Sequence, residues 1–151
     1  MAQSLCKIYL HIIFHTKTES PTIEAEHLPH LHQYIGSLVN STGCQVMCVG
    51  GTANHVHVLL MFSKMETVAH VVEEMKRNSS RWIKTLSTRY ERFAWQGGYA
   101  AFSVSQSVVE KTWQYVLNQA EHHKKVSFRD EYIHFLKLYN IEYDEKYVLS
   151  D

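Results

Sequence analysis

Apolar and polar positions follow two rhythms along the chain, and the switches between them divide it into elements. Residues 5–15 are rich in Ile, Leu, Tyr and Phe and end at the polar Thr16-Lys17-Thr18 stretch before Pro21, which predicts a first strand. Leu28, Leu31, Ile35, Leu38 and Val39 recur at helical spacing, and Gly43 just beyond is a natural stop. Residues 44–50 and 54–62 read as two strands paired in a hairpin, with Gly50-Gly51 as the turn. Val68, Val71, Val72, Met75, Trp82, Ile83 and Leu86 mark a second helix, with Asn78-Ser79-Ser80 as a candidate break. Gly97-Gly98 precedes a fourth strand at 99–105. Ser107 with Glu110 forms a capping-box signature for a third helix reaching about His123, and Ser127 with Asp130 starts a fourth.

Strand, helix, strand, strand, helix, strand is the order of the ferredoxin-like split βαβ arrangement. The expected fold is therefore α+β: a four-stranded antiparallel sheet (βαββαβ) with helices on one face, plus additional C-terminal helices. At 151 residues and 45% hydrophobic, the chain suits one domain spanning 1–151. It shows no internal repeat, linker or low-complexity tract. No apolar run approaches the roughly 20 residues of a membrane span, and the N-terminus has no secretory pattern, so a cytoplasmic protein is expected. Cys6, Cys44 and Cys48 are odd in number and lack zinc-type spacing, which predicts buried free thiols in a reducing compartment.

Charge changes this picture only locally. Fifteen Lys and Arg balance fifteen Asp and Glu, so the whole chain has no basic excess of the kind nucleic-acid binders carry. From Lys76 to Arg92, however, Lys76, Arg77, Arg81, Lys84, Arg89 and Arg92 face Glu91 alone. A phosphate backbone can dock on such a stretch, and an ordinary solvated helix face has the same composition.

The chemistry concentrates in two segments. If residues 54–62 form a strand, Val56, Val58, Leu60 and Phe62 share one apolar face while His55 and His57 share the other, open face. Two neutral imidazoles there can hold a divalent cation once a third group arrives; paired strand histidines are also common as plain surface residues. On the third helix, Val109, Trp113, Val116, Leu117 and Ala120 form an apolar stripe, with Tyr115 and Gln119 four residues apart on the opposite side. A phenol beside an amide carbonyl suits a nucleophile next to a metal ligand, or an unremarkable surface pair. Lys111 and His122 fall near the same face.

The segments from Asn54 to Leu60, from Trp95 to Ser105, and from Tyr115 through Gln119 to His122-His123 closely resemble the single-tyrosine HUH transposases of small bacterial insertion sequences. The resemblance also takes in His11-Ile12-Ile13-Phe14, the Lys76 to Ser80 stretch, and the end from Ser127-Phe128 to Tyr147, and so covers nearly the whole chain. It implies that His55, His57 and Gln119 bind magnesium or manganese and that Tyr115 is the nucleophile. Cleavage of single-stranded DNA would then leave a 5′-phosphotyrosine and a free 3′-hydroxyl, with rejoining by reversal.

Members of that family act as homodimers whose active sites are shared between subunits, and they recognise hairpins in single-stranded DNA. Lys76, Arg77, Ser79, Ser80 and Arg81 are the matching candidates for DNA contact, while Trp95, Tyr99 and Phe102 fit core better than base stacking. One position departs from the pattern: Asn54 stands where the family usually has an acidic residue, at a place from which a neighbour orients the first imidazole. Two alternatives stay open. One is a domesticated, non-enzymatic hairpin-DNA-binding module on the same fold; the other is a metabolite sensor, which leaves the two histidines and the Tyr–Gln pair without a purpose.

Overall fold

The computed structural model describes residues 2–150. Its elements are β1 (Ile8–His15), α1 (Leu28–Ser41), β2 (Gln45–Thr52), β3 (His55–Phe62), α2 (Val68–Ile83), β4 (Ala100–Val104), α3 (Val109–Leu117), α4 (Gln119–His122) and α5 (Phe128–Leu138), joined by short 3-10 turns. The strands lie in the order β2-β3-β1-β4, and each neighbouring pair is antiparallel. This is the ferredoxin-like topology expected from the element order.

Strand alternation decides what each face of the sheet holds. Leu10, Ile12 and Phe14 of β1 and Val56, Val58 and Leu60 of β3 point to one side, where they pack on Leu31, Ile35 and Val39 of α1 and Val71, Val72 and Met75 of α2. Removal of these side chains from water is the main driving force for the fold. Gly43, just after α1, takes a φ of 92°, the left-handed conformation that ends helices and that glycine adopts without strain.

The second face is not open, as expected from sequence, but covered by α3, α4 and α5. Its apolar contacts divide into two clusters. Tyr9, Cys48, Leu59 and Val104 pack on Val109 and Val116 of α3, while Ile13, Ala100 and Phe102 pack on Tyr132 and Leu136 of α5. The histidines of β1 and β3 lie in the seam between them.

Several local expectations shift for identifiable reasons. The hairpin turn is Ala53-Asn54, not Gly50-Gly51: β2 continues to Thr52, opposite His55. Gly50 is required inside the strand because a Cβ there would strike the carbonyl oxygen of Val116. Helix α2 runs unbroken through Asn78, Ser79 and Ser80. Ser107 does not cap α3; its hydroxyl hydrogen-bonds that of Ser105, and a 3-10 turn at Gln106–Val108 leads into the helix. Ser127 does cap α5, accepting from the amide of Asp130. Of the three thiols, Cys44 and Cys48 are buried but Cys6 is exposed.

Candidate active site

Strand β3 places His55 and His57 on the second face, fully buried beneath the three C-terminal helices. Each ring is fixed from its far side. Asn54 Oδ1 lies 2.8 Å and Thr52 Oγ1 3.0 Å from His55 Nδ1, while Thr52 donates to the same Asn54 oxygen. The His55 proton therefore sits on Nδ1, and Nε2 is left as a lone-pair donor facing the seam. His57 Nδ1 lies 2.7 Å from Nε2 of His11, one strand over on β1. Burial lowers the pKa of His55 to about 3 and also lowers those of His57 and His11, with nearby imidazoles adding to the effect, so all three rings are neutral at pH 7.

The tyrosine helix comes from the other direction. Because Gly50 carries no side chain, the backbone of α3 rests directly on β2, with the Val116 carbonyl against the strand residue paired with His57. The apolar stripe expected to run through residue 120 stops early: the helix breaks at Asn118 (φ −97°, ψ 23°), leaving Leu117 and Ala120 exposed. The break rotates Gln119 inward, where it is 1% exposed. Its Oε1 lies 2.9 Å from His55 Nε2 and 2.9 Å from His123 Nε2. His123 Nδ1 is engaged by the Val126 carbonyl, so its Nε2 too presents a lone pair. Two imidazole lone pairs thus converge on one amide oxygen, an arrangement that a cation among them satisfies.

Sequence reasoning missed the residue that joins the two halves. Glu131, in the first turns of α5, is buried and places Oε1 2.8 Å from His57 Nε2 and 3.9 Å from His55 Nε2. Its Oε2 accepts a hydrogen bond from the Tyr115 hydroxyl and lies 2.9 Å from His122 Nε2, itself 3.2 Å from the same hydroxyl. Burial alone would raise the Glu131 pKa, but its bonds to His57 and Tyr115 outweigh that and hold it well below the usual carboxylate range. Burial and the Glu131 charge together raise the Tyr115 pKa, keeping the phenol protonated. His55, His57, His123 and Glu131 each offer a ligand atom, all within 4.8 Å of one another. With the Gln119 oxygen, this set of neutral nitrogens and oxygens fits a divalent metal ion.

Signals for the missed residues exist in the sequence. Glu131 falls at helical spacing with Phe128 and Phe135, a carboxylate within an apolar stripe, and His11 interrupts an otherwise apolar strand.

A cleft of about 630 Å³ opens beside the tyrosine, lined by Lys111, Gln114, Tyr115, His122 and Lys125. The α2 residues expected to touch DNA lie elsewhere and in differing settings. Lys76 is half-buried, donates to the carbonyls of Gln96 (2.8 Å) and Gly98, and has its pKa lowered to about 8 by burial. Arg77 pairs with Glu73 and Glu74. Ser79 is fully buried and accepts from the Trp95 indole at 2.9 Å. Ser80 lines a groove with Lys84, Trp95 and Tyr99, and Arg81 is exposed. Trp95 and Phe102 are core residues, whereas Tyr99 is 39% exposed.

Comparison with known proteins gives a consistent result. The family model described as "Transposase IS200 like" matches residues 4–119. No curated protein matches the chain. Among solved structures, a candidate transposase from Deinococcus radiodurans R1 superposes with a TM-score of 0.60 at 20% identity, over 79% of this chain and 98% of that one. A REP-associated tyrosine transposase bound to a REP hairpin superposes with a TM-score of 0.53 at 8% identity, over 77% of this chain and 67% of that one. Among the described residues, no helix is long and apolar enough to cross a membrane.

Proposed function

The chain belongs to the IS200-like transposase family, and from that premise we propose that it cleaves and rejoins single-stranded DNA through a covalent bond to Tyr115. The observation that carries this reading is the convergence, within one chain, of His55, His57 and Gln119 with the Tyr115 phenol, linked through Glu131.

His55, His57 and Gln119 would hold magnesium or manganese, with Asn54 fixing the first imidazole. When bound, the cation supplies positive charge that polarises a non-bridging oxygen of the scissile phosphate. The Tyr115 oxygen attacks phosphorus in line, forming the Tyr–O–P bond as the bond from phosphorus to the 3′ oxygen breaks. Glu131 Oε2, which accepts the hydroxyl's hydrogen bond, orients the phenol, whose proton leaves to solvent as the new bond forms. The departing oxygen takes up a proton from solvent and leaves as a 3′-hydroxyl. Attack by a 3′-hydroxyl of another strand reverses the step, returns the proton to Tyr115 and rejoins DNA without a nucleotide cofactor.

The DNA partner is a hairpin-forming single strand, a reading supported by the hairpin bound to the structural neighbour. Lys76, Arg77, Ser79, Ser80 and Arg81 are the proposed contact stretch, with the exposed Arg81 best placed to meet phosphate. Two copies pair as a homodimer, as the family resemblance implies. Tyr115 and Glu131 meet within one chain, and exchange of tyrosine helices in a dimer with shared active sites would bring the same two residues together across subunits.

The test is incubation of the full chain with magnesium and hairpin-bearing strands from the flanks of its own gene. A protein–DNA adduct that survives denaturation, and is lost in Tyr115→Phe, is the expected result. Tight binding without an adduct in any metal would favour the non-enzymatic hairpin-binding module instead.

A further inference from the structure

We infer that Glu131, on the helix beyond the segment matched by the transposase family, is itself a ligand of the catalytic cation and supplies the site's one anionic oxygen. The inference rests on the cation site of the proposed strand-cleaving reading and adds a residue from the C-terminal helix to it.

Geometry comes first. An octahedral magnesium or manganese ion with bonds of about 2.1 Å holds adjacent ligand atoms about 3 Å apart and opposite ones about 4.2 Å apart. Glu131 Oε1 lies 2.8 Å from His57 Nε2 and 3.9 Å from His55 Nε2, and Gln119 Oε1 lies 2.9 Å from His55 Nε2. These contacts, hydrogen bonds in the metal-free chain, are short enough that the same side chains would hold one divalent ion between them.

Charge gives a second reason. The Glu131 side chain is 1% exposed, and among the described residues its ion-pair partners are all imidazoles: His55, His57, His122 and His123. No ammonium or guanidinium lies within salt-bridge reach among those residues. A carboxylate enclosed this way, without a compensating cation, is costly, and a divalent ion beside it removes the cost. Hard cations also favour oxygen, and without Glu131 the protein offers only the amide oxygen of Gln119 beside the imidazole nitrogens of His55, His57 and His123.

The two oxygens of Glu131 divide the work. Oε1 faces the imidazole pair, while Oε2 accepts from Tyr115. One carboxylate then sets the distance between cation and nucleophile, and α5 becomes part of the active site.

The test uses the full chain and no DNA. Binding of manganese is followed by loss of the free-ion electron paramagnetic resonance signal for wild type, Glu131→Gln, Glu131→Ala, Tyr115→Phe and His57→Ala, with circular dichroism to verify folding. Wild type and Tyr115→Phe should bind alike, and both Glu131 variants at least ten-fold more weakly. Cobalt loaded in place of manganese should show shifted visible bands in Glu131→Ala, which an indirect positioning role would leave unchanged. Affinity within two-fold of wild type in the folded Glu131 variants, or unchanged cobalt bands, overturns the inference while leaving the strand-cleaving reading intact. If Glu131→Ala does not fold, Glu131→Gln, which keeps shape and an accepting oxygen, decides through its affinity. A wild type that binds no better than His57→Ala would defeat the inference and the cation site together.

Discussion

The hydroxyl of Tyr115 donates to Glu131, a carboxylate sixteen residues further along the same chain, whose other oxygen is 2.8 Å from His57. Three elements that do not follow one another in sequence, β3, α3 and α5, thus meet at one side chain. Glu131 links the tyrosine helix to the histidine strand.

Mixing variants tests this arrangement. Tyr115→Phe and His57→Ala are each expected to form no adduct, and an equimolar mixture should stay inactive if each site is composed within one chain. Recovery of adduct formation toward a quarter to a half of wild type would show that tyrosine helices are exchanged between subunits.

The close approach of α3 to β2 makes a second prediction. Gly50→Ala places a methyl group against the Val116 carbonyl, which should cost about 1–3 kcal/mol in denaturant unfolding. The helix must shift by a fraction of its own radius, so adduct formation should fall at least ten-fold while manganese affinity changes much less. Unchanged stability and activity would mean that the helix does not rest on the strand.

The fold's broad outline was legible in sequence because alternation on β1 and β3 and the helical stripe of α1 are local patterns that burial enforces. Spacing drew attention to His55 with His57 and to Tyr115 with Gln119 but left each pair open to a plain surface reading, and the resemblance to the transposase family is what singled them out. What could not be read was tertiary: the covering of the histidine face, the break at Asn118 that turns Gln119 inward, and the arrival of Glu131 from α5. Gly50 was misread as a turn because close backbone approach leaves the same mark as a reversal of direction.

On α2, two neighbouring residues should separate folding from binding. Ser79→Ala removes the acceptor of the buried Trp95 indole N–H and should destabilise the protein by roughly 1–3 kcal/mol. Arg81→Ala, at an exposed position, should leave stability unchanged, weaken hairpin binding across sequences and lower the salt-dependence slope by about one. Fluorescence anisotropy over a salt series, beside urea titrations, measures both.

Acid should destabilise the metal-free protein early. Burial lowers His32 to about 4 and His55 to about 3, with His11 and His57 also lowered, whereas in the unfolded chain these rings titrate near 6.5. Below about 6.5 the unfolded state binds protons that the folded state excludes, so stability is full above that pH and falls progressively toward pH 3–4. Glu131, held low in the fold, adds to the loss below about 4.5, where its unfolded counterpart becomes protonated. Thermal melts between pH 8 and 4 without metal should show a flat upper region and a steady decline beneath it; a rise in melting temperature on acidification would contradict neutral buried rings.

The most direct measurement is the chemical identity of the adduct. After reaction with a hairpin-bearing strand, nuclease trimming and trypsin digestion, mass spectrometry of the peptide from Thr112 to Lys124 should show a nucleotide joined through its 5′-phosphate to Tyr115. The nucleotide on any other side chain, or an unmodified Tyr115 in protein that has cleaved its DNA, would contradict the account.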